Sequence, residues 1–169
     1  MVIRQEREHD HREVYQLIQE AFAMAEHCDG NEQDLVADLR KGEGFVPELS
    51  LVAEEAGEIV GHILFTKARV GDEEVLALAP LSIKPQYQRQ GIGQALILEG
   101  HRIAKELGYS YSIVMGSDQY YPKTGYLPAQ QFHIEVPDGV PSEYCMAIRL
   151  QEDARPVCGK VVYAKEFGL

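Results

Sequence analysis

The sequence IKPQYQRQGIG occupies residues 83–93 and joins an apolar run, residues 75–83, to a helical pattern that continues to about Leu107. A helix start leaves about four backbone N–H groups without intrahelical partners and carries a partial positive charge. Because Gly91 and Gly93 have no Cβ, the backbone nitrogens there can approach a phosphate group closely. The junction therefore predicts an anion site between a strand and a helix.

The charge pattern around this junction supports a phosphate ligand. Residues 75–98 contain no Asp or Glu, whereas the composition of the chain would place about four there. Lys84 and Arg89 are the only charged residues in the run. The run lacks the Gly-Lys-Ser/Thr ending of a P-loop and the three glycines of a dinucleotide fingerprint. A plain tight turn is the alternative interpretation, and the missing acids favour the anion site over it.

Helical and β-rich patterns surround the junction. Apolar residues at helical spacing follow Asp10, whose distance to Glu13 is that of a capping box, and a second helix is expected after Asn31. The expected elements are helices at about 10–22 and 32–40, strands at 49–54, 59–70 and 75–83, a helix at 91–107, and strands at 110–115, 131–136 and 144–150. The three central strands form an antiparallel meander, and the strand after the long helix requires a parallel crossover. The fold class is therefore α+β (mixed α/β).

Pro80 interrupts the strand that leads into the loop. Proline has no N–H to donate to a sheet, so it marks either an edge or a bulge. If the strand diverges from its parallel neighbour at residues 81–83, its unpaired backbone groups can bind an extended ligand that contains amides.

Two motifs make the chain resemble the GNAT superfamily of acetyl-CoA-dependent N-acetyltransferases. Residues 88–93 satisfy the family's Gln/Arg-x-x-Gly-x-Gly/Ala loop, and residues 121–126 satisfy its Tyr-x-x-x-Gly-aromatic element. The likeness covers about residues 3–127 and is looser beyond them. Residues 79–81 and the tail that ends with residues 162–167 look like a bacterial subgroup of predicted acetyltransferases. The resemblance implies a central mixed, mostly antiparallel sheet with a splayed parallel strand pair and flanking helices. It also implies a single N-acetyltransferase domain over residues 1–169, with a core to about residue 127 and C-terminal strands and a tail over 128–169.

The resemblance further implies how acetyl-CoA, as co-substrate, would be bound. Backbone groups of Leu81 and Ile83 would hold the pantetheine arm, and Lys84 or Arg89 would reach the 3′-phosphate. Backbone amides would hold the diphosphate, and the residues concerned are Gln88, Arg89, Gln90, Gly91, Ile92, Gly93 and Gln94.

Tyr121 matches the family position that protonates the leaving thiolate. A phenol has a pKa near 10 and a thiol near 8.5, so this proton transfer has little driving-force cost. Tyr120 and Tyr126 are expected to fill the core.

The group that takes the proton from an attacking amine is not evident in the strand before the loop. A lysine-like amine has a pKa about 3 units above neutral pH, so it must lose a proton before or during attack. Residues 75–83 contain no titratable side chain, and Ala77 stands where some family members have a carboxylate. The candidates elsewhere are Asp118, Glu54, Glu55, His62 or a chain of water molecules.

Composition limits the partners and the compartment. The net charge of −11 and the pI near 4.9 argue against nucleic acid and membrane partners and favour amines, either small molecules or protein lysines. Three cysteines without a Cys-x-x-Cys pair and six histidines without ligand spacing predict no disulfide framework and no metal. A reducing, cytoplasmic location is expected, since no apolar run approaches the roughly 20 residues of a membrane span. Edge strands in the C-terminal part could pair in a homodimer.

Two classes of function are consistent with these residues. The first is direct attack of a primary amine on acetyl-CoA, since no Cys or Ser stands beside a His in the expected site. The alternative is a non-catalytic acyl-CoA-binding sensor or regulatory module, and a third interpretation is a site for another nucleotide anion.

Overall fold

A computed structural model describes residues 1–23 and 30–169. The helices are α1 (His11–Phe22), α2 (Glu32–Leu39) and α3 (Ile92–Glu106). The strands are β1 (Val2–Gln5), β2 (Phe45–Glu55), β3 (Glu58–Val70), β4 (Glu73–Ile83), β5 (Tyr111–Met115), β6 (Leu127–Pro128), β7 (Ile134–Glu135), β8 (Cys145–Arg149) and β9 (Gly159–Val162).

A central sheet has the strand order β1-β2-β3-β4-β5-β8-β6. Neighbouring strands in this order are antiparallel, except for β4 and β5, which are parallel. β9 extends the sheet by pairing with β3, and β7 pairs with β9. This architecture confirms the expected α+β class and the mostly antiparallel sheet with one parallel pair at its centre.

The central elements follow the sequence expectations, and the short strands differ. The meander, the long helix and the strand after it lie within a few residues of their expected bounds. The patterns did not indicate β1, β6 and β9, and the strand expected over 131–136 shortens to two residues. A strand of two to four residues is too short for an alternating pattern to stand out, so its neighbours in the sheet decide it.

The helices cover the two faces of the sheet. α3 packs Leu96 and Ile97 into a core cluster with Phe65 of β3, whereas α1 and α2 pack on the other face, against Leu64. A Cβ built on Gly100 of α3 would lie 2.3 Å from Cε2 of Phe65. Glycine therefore stands inside α3 because the helix packs closely on the sheet.

The start of α1 differs from the expected capping box. Asp10 lies at the N-cap position, but its side chain makes no cap hydrogen bond. Its carboxylate instead accepts hydrogen bonds from Arg4 at 2.7 Å and from the Arg7 N–H at 2.8 Å. Glu13 accepts a hydrogen bond from the Ile59 N–H on β3 at 3.2 Å. The capping box is therefore wrong, because charged and backbone donors on other segments compete for both carboxylates.

Asn31 likewise lies at the N-cap position of α2 without a side-chain cap bond. Across the described ranges, none of the helices is both long enough and apolar enough to cross a bilayer.

Candidate functional site

A bulge in β4 separates it from β5. Across β3 and β4, Ile63 pairs with Leu81 and Phe65 pairs with Leu78, so Ala79 and Pro80 stand opposite a single residue. β4 and β5 are paired only through Leu76 with Ser112 and Ala77 with Ile113, below the bulge. Pro80 therefore marks a bulge in a central strand and not an edge. Beyond it, residues 81–83 have no register partners on β5, which leaves a V-shaped opening in the sheet.

The loop after β4 presents backbone nitrogens at this opening. Gly91 adopts a left-handed conformation with φ of +84° and forms the N-cap of α3, which has no side-chain cap bond. Ala95 donates the first helical bond, to Gly91 O at 3.1 Å, so the N–H groups of Ile92, Gly93 and Gln94 precede it. Arg89 also has a positive φ, +63°, which is uncommon for a residue with a Cβ. Within the described residues, the start of α3 thus has the backbone donors without helical partners that the sequence indicated.

The two loop glycines meet different requirements. A Cβ on Gly91 would contact nothing within 4 Å, so its positive φ is what favours glycine. Gly93 has helical backbone, but a Cβ there would lie 2.1 Å from the hydroxyl oxygen of Tyr120. Gly93 is therefore required by a side chain that is 27 residues away in the chain.

A cavity of about 600 Å³ lies along the opening, between β4, the loop, the start of α3 and the end of α1. Eight of the nine residues expected to bind acetyl-CoA line it: Leu81, Ile83, Gln88, Arg89, Gly91, Ile92, Gly93 and Gln94. Gln90 does not line the cavity, and its side chain donates to Gln86 O at 3.3 Å. The structure thus brings these residues together, and their binding of a co-substrate stays a prediction.

Further residues line the cavity that the sequence motifs did not indicate, among them Phe22 at the end of α1, Tyr87, Tyr120 and Lys123. Tyr120 was expected in the core. Its ring does contact the core cluster, but the side chain is half-buried and lines the cavity. The sequence signal available was the Tyr-x-x-x-Gly-aromatic element over residues 121–126. It could not show whether Tyr120 or Tyr121 faces the loop.

Tyr121 begins a short 3-10 helix over residues 121–124 after β5, next to Tyr120 but outside the cavity lining. A Cβ on Gly116 would lie 2.6 Å from Cε2 of Tyr121, so the ring packs directly on the backbone there. Burial raises the pKa of Tyr121 to about 12, so its hydroxyl stays protonated at neutral pH. The ring of Tyr126 meets that of Tyr121 edge-on at 5.9 Å, and its own hydroxyl lies 2.7 Å from Ser112 Oγ. The proton-donor role of Tyr121 stays a prediction.

The two cations of the loop differ in their surroundings. Lys84 forms an ion pair with Glu58. Arg89 lines the cavity, and within the described parts of the chain it has no ion pair. Arg89 is therefore better placed than Lys84 to meet an anion in the cavity.

The four candidate proton acceptors lie in different environments. Glu54 binds Arg4 at 3.2 Å, and Glu55 lies 3.5 Å from the N-terminal amine. Asp118 is exposed in the loop after β5. His62 is fully buried on β3, where it faces Ser82, its cross-strand partner next to the opening.

The fold and the site together define a class of protein. In this class, two parallel strands diverge, and beside them a loop and the start of a helix offer backbone N–H donors to an anion. The chain belongs to the acetyltransferase (GNAT) family, whose sequence model matches residues 11–126. This confirms the family that the two motifs indicated.

Relatives and solved structures agree with this assignment. An uncharacterized N-acetyltransferase of Escherichia coli K12, YhbS, is 31% identical over 141 residues, which is 80% of this chain and 83% of that protein. A second one from the same strain, YjhQ, is 42% identical over 101 residues, 57% of this chain and 56% of that protein.

Two solved structures show the same fold with ligands. The crystal structure of E. coli YhbS in complex with CoA superimposes with a TM-score of 0.89 at 27% identity, covering 99% of this chain and 92% of that one. A GNAT acetyltransferase from Brucella melitensis in complex with acetyl-CoA gives a TM-score of 0.81 at 30% identity, covering 98% and 97%.

Proposed function

We propose that this chain binds acetyl-CoA in the cavity beside β4 and transfers the acetyl group directly to a primary amine. The observation that carries the proposal is the geometry of the opening. The backbone donors that precede the first helical bond of α3, and residues 81–83, which pair with β3 but not with β5, border one continuous cavity. The CoA and acetyl-CoA complexes of the two solved relatives support the same ligand here.

The cavity wall supports direct attack over a covalent acyl-enzyme. Among the described residues that line it, none is Cys, Ser, Thr or His, so no hydroxyl or thiol nucleophile stands beside a histidine base there. The amine nitrogen bonds to the thioester carbonyl carbon while the carbon–sulfur bond breaks. A backbone N–H of residues 81–83 would stabilise the oxyanion, an effect worth about 3 kcal/mol in comparable sites. The Tyr121 hydroxyl would give its proton to the departing thiolate.

The acceptor proposed is a cationic amine, either a small polyamine or aminoglycoside or a protein lysine. The net charge of −11 attracts such molecules at long range and leaves the choice among them open.

The test begins with calorimetry of CoA and acetyl-CoA on the purified protein. We expect saturable binding, followed by thiol release when acetyl-CoA is incubated with spermidine, tobramycin or Nα-acetyl-lysine amide. No heat at millimolar CoA would overturn the proposal. Tight binding without thiol release for any amine would instead favour a non-catalytic acyl-CoA sensor.

Arg89 and Lys84 provide a matched pair of variants for the binding step. Arg89→Gln should raise the Kd of CoA about tenfold at low salt and less at high salt, because exposed charge pairs are screened. Lys84→Gln should change the Kd less than about twofold, since Glu58 already pairs with that ammonium. Equal effects of the two variants would contradict the assignment of Arg89 to an anion.

A further inference from the structure

A buried polar cluster lies beneath α1, on the sheet face opposite α3. Arg40, at the end of α2, donates to Glu6 through Nη2 at 2.6 Å and through Nε at 3.1 Å. Ser50 of β2 donates to Glu6 Oε1 at 2.9 Å, and its Oγ lies 3.2 Å from His62 Nε2. His62 is 0% exposed and Ser50 is 1% exposed. The cluster thus links the centre of β3 to the end of α2.

The hydrogen bonds assign the tautomer of His62. Burial opposes ionisation of Glu6, but the hydrogen bonds from Arg40 outweigh it and lower the pKa of the carboxyl group. An ionised carboxylate only accepts, so the Ser50 hydroxyl donates to Glu6 and must accept from His62. The hydrogen of the neutral ring is therefore on Nε2, and Nδ1 carries a lone pair.

Two buried polar atoms next to the opening have no hydrogen-bond partner within residues 1–23 and 30–169: His62 Nδ1 and Ser82 Oγ. They belong to cross-strand partners, His62 on β3 and Ser82 on β4. Ser82 stands between Leu81 and Ile83, the two β4 residues that line the cavity. Buried polar atoms without partners destabilise a fold, and they persist where function or bound water uses them.

We propose that His62 Nδ1 accepts the proton that the attacking amine loses, through the Ser82 hydroxyl and a water that bridges the two side chains. Glu6 and Ser50 are positioning residues, since they fix the tautomer that leaves Nδ1 free. This inference rests on the proposed acetyl transfer.

This route accounts for every proton that moves in the reaction. The cationic amine first gives one proton to solvent and attacks as the neutral amine. Its second proton moves to His62 after the carbon–nitrogen bond has formed, and the Tyr121 proton moves to the thiolate as the carbon–sulfur bond breaks. Solvent then returns the proton from His62 to the Tyr121 phenolate. The net products are the amide and the free thiol of CoA.

The charges around His62 suit a transient acceptor. The Glu6 carboxylate lies 3.7 Å from Nε2 and stabilises the imidazolium, whereas Arg40 and His11 of α1 oppose it. Burial is the largest effect and lowers the pKa of His62 to about 4. The ring is therefore neutral at pH 7 and accepts a proton only when the bound amine becomes acidic, after it has attacked the carbonyl carbon. His11, half exposed and 3.8 Å from Glu6, connects the cluster to solvent.

Three variants test the route, with Tyr121 and the CoA loop left intact. His62→Gln keeps a polar side chain but cannot take the proton, and Ser82→Ala removes the unpartnered hydroxyl. Thr66→Val is the matched control: Thr66 Oγ1 is also buried and unpartnered in the described residues, but its β4 partner is Ala77, where β4 and β5 are still paired. All three are assayed for thiol release with acetyl-CoA and spermidine, tobramycin or Nα-acetyl-lysine amide.

We expect His62→Gln to lower kcat about 100-fold and Ser82→Ala about tenfold, with KM for acetyl-CoA within about twofold of the original value. Thr66→Val should keep kcat within about twofold. Ser82→Ala should not lower the melting temperature, since it removes an unpaired buried group. An unchanged kcat in Ser82→Ala, or an equal loss in Thr66→Val, overturns the route while acetyl transfer itself stands.

A second measurement does not depend on the acceptor. Nitrogen NMR of His62 in the CoA-bound protein should show a protonated Nε2 and an unprotonated Nδ1 at pH 7. A protonated Nδ1 overturns the inference whatever the turnover. Absence of CoA binding or of thiol release in the unaltered protein instead overturns the proposed function, and the proton route with it.

Discussion

Substitution of Gly93 by alanine tests whether Tyr120 sets the shape of the CoA loop. The added Cβ would lie 2.1 Å from the Tyr120 hydroxyl oxygen, against about 3.4 Å for an ordinary contact, so the hydroxyl must move by about 1.3 Å. The next atom of that ring, Cζ, would already be 3.4 Å from the Cβ. The clash is therefore confined to one oxygen at the end of the side chain.

We expect Gly93→Ala to weaken CoA binding more than it changes the stability of the fold. Alanine is favoured over glycine inside a helix by about 0.5–1 kcal/mol, which offsets part of the strain. The free energy of unfolding should consequently change by less than about 1 kcal/mol. The displaced hydroxyl enters the cavity, and a misplacement of about 1 Å at a binding site is enough to raise the Kd of CoA at least tenfold.

A double-mutant cycle with Tyr120→Phe provides the assay. In the Tyr120→Phe background the clashing oxygen is gone, so Gly93→Ala should change the CoA affinity less than about threefold by calorimetry. The coupling energy between the two substitutions should be about 0.7 kcal/mol or more. Equal losses in both backgrounds would refute the reasoning, because the Cβ itself, and not the tyrosine, would then obstruct the ligand.

Three further substitutions test the donor tyrosine, the packing of α3 and the ion pair at the start of α1. Tyr121→Phe should lower kcat about 100-fold or more with an unchanged KM for acetyl-CoA; because its pKa is raised to about 12, the unaltered protein should show no loss of kcat from tyrosine ionisation below pH 10. Gly100→Ala should destabilise the fold by about 1–3 kcal/mol, measured by urea denaturation, since its Cβ would overlap a buried phenylalanine ring at 2.3 Å; an unchanged midpoint would show that the helix shifts freely. The hydrogen bonds from Arg4 lower the pKa of Asp10 from 3.8 to about 2, so its contribution to stability is full above pH 4 and is lost as pH falls through 2. Asp10→Asn should therefore flatten the acid side of the stability curve, and an unaltered acid slope would exclude this pair as its source.

The strand, loop and helix around residues 83–93 could be predicted because their signals are local. Periodicity, turn glycines and the absence of acids all lie within one continuous stretch, and each depends on neighbours a few residues away. Pro80 cannot donate in a sheet wherever the strand lies, so the sequence predicted an edge or a bulge there, and the sheet order decided for the bulge. The capping box of Asp10 and Glu13 fails for the opposite reason, because Glu13 accepts a hydrogen bond from the Ile59 N–H on β3, which is distant in the chain.

The sequence by itself determined the family, the meander and the loop that offers backbone nitrogens to an anion, since those properties follow from residue types at short spacing. Only the tertiary structure decided which tyrosine faces the cavity and which candidate base lies beside the opening. Tyr120 meets Gly93, and His62 meets Ser82, Ser50 and Glu6, through sheet register and helix docking. Such contacts join residues that are far apart in the chain, and the packing energy of the whole sheet, not a local pattern, selects them.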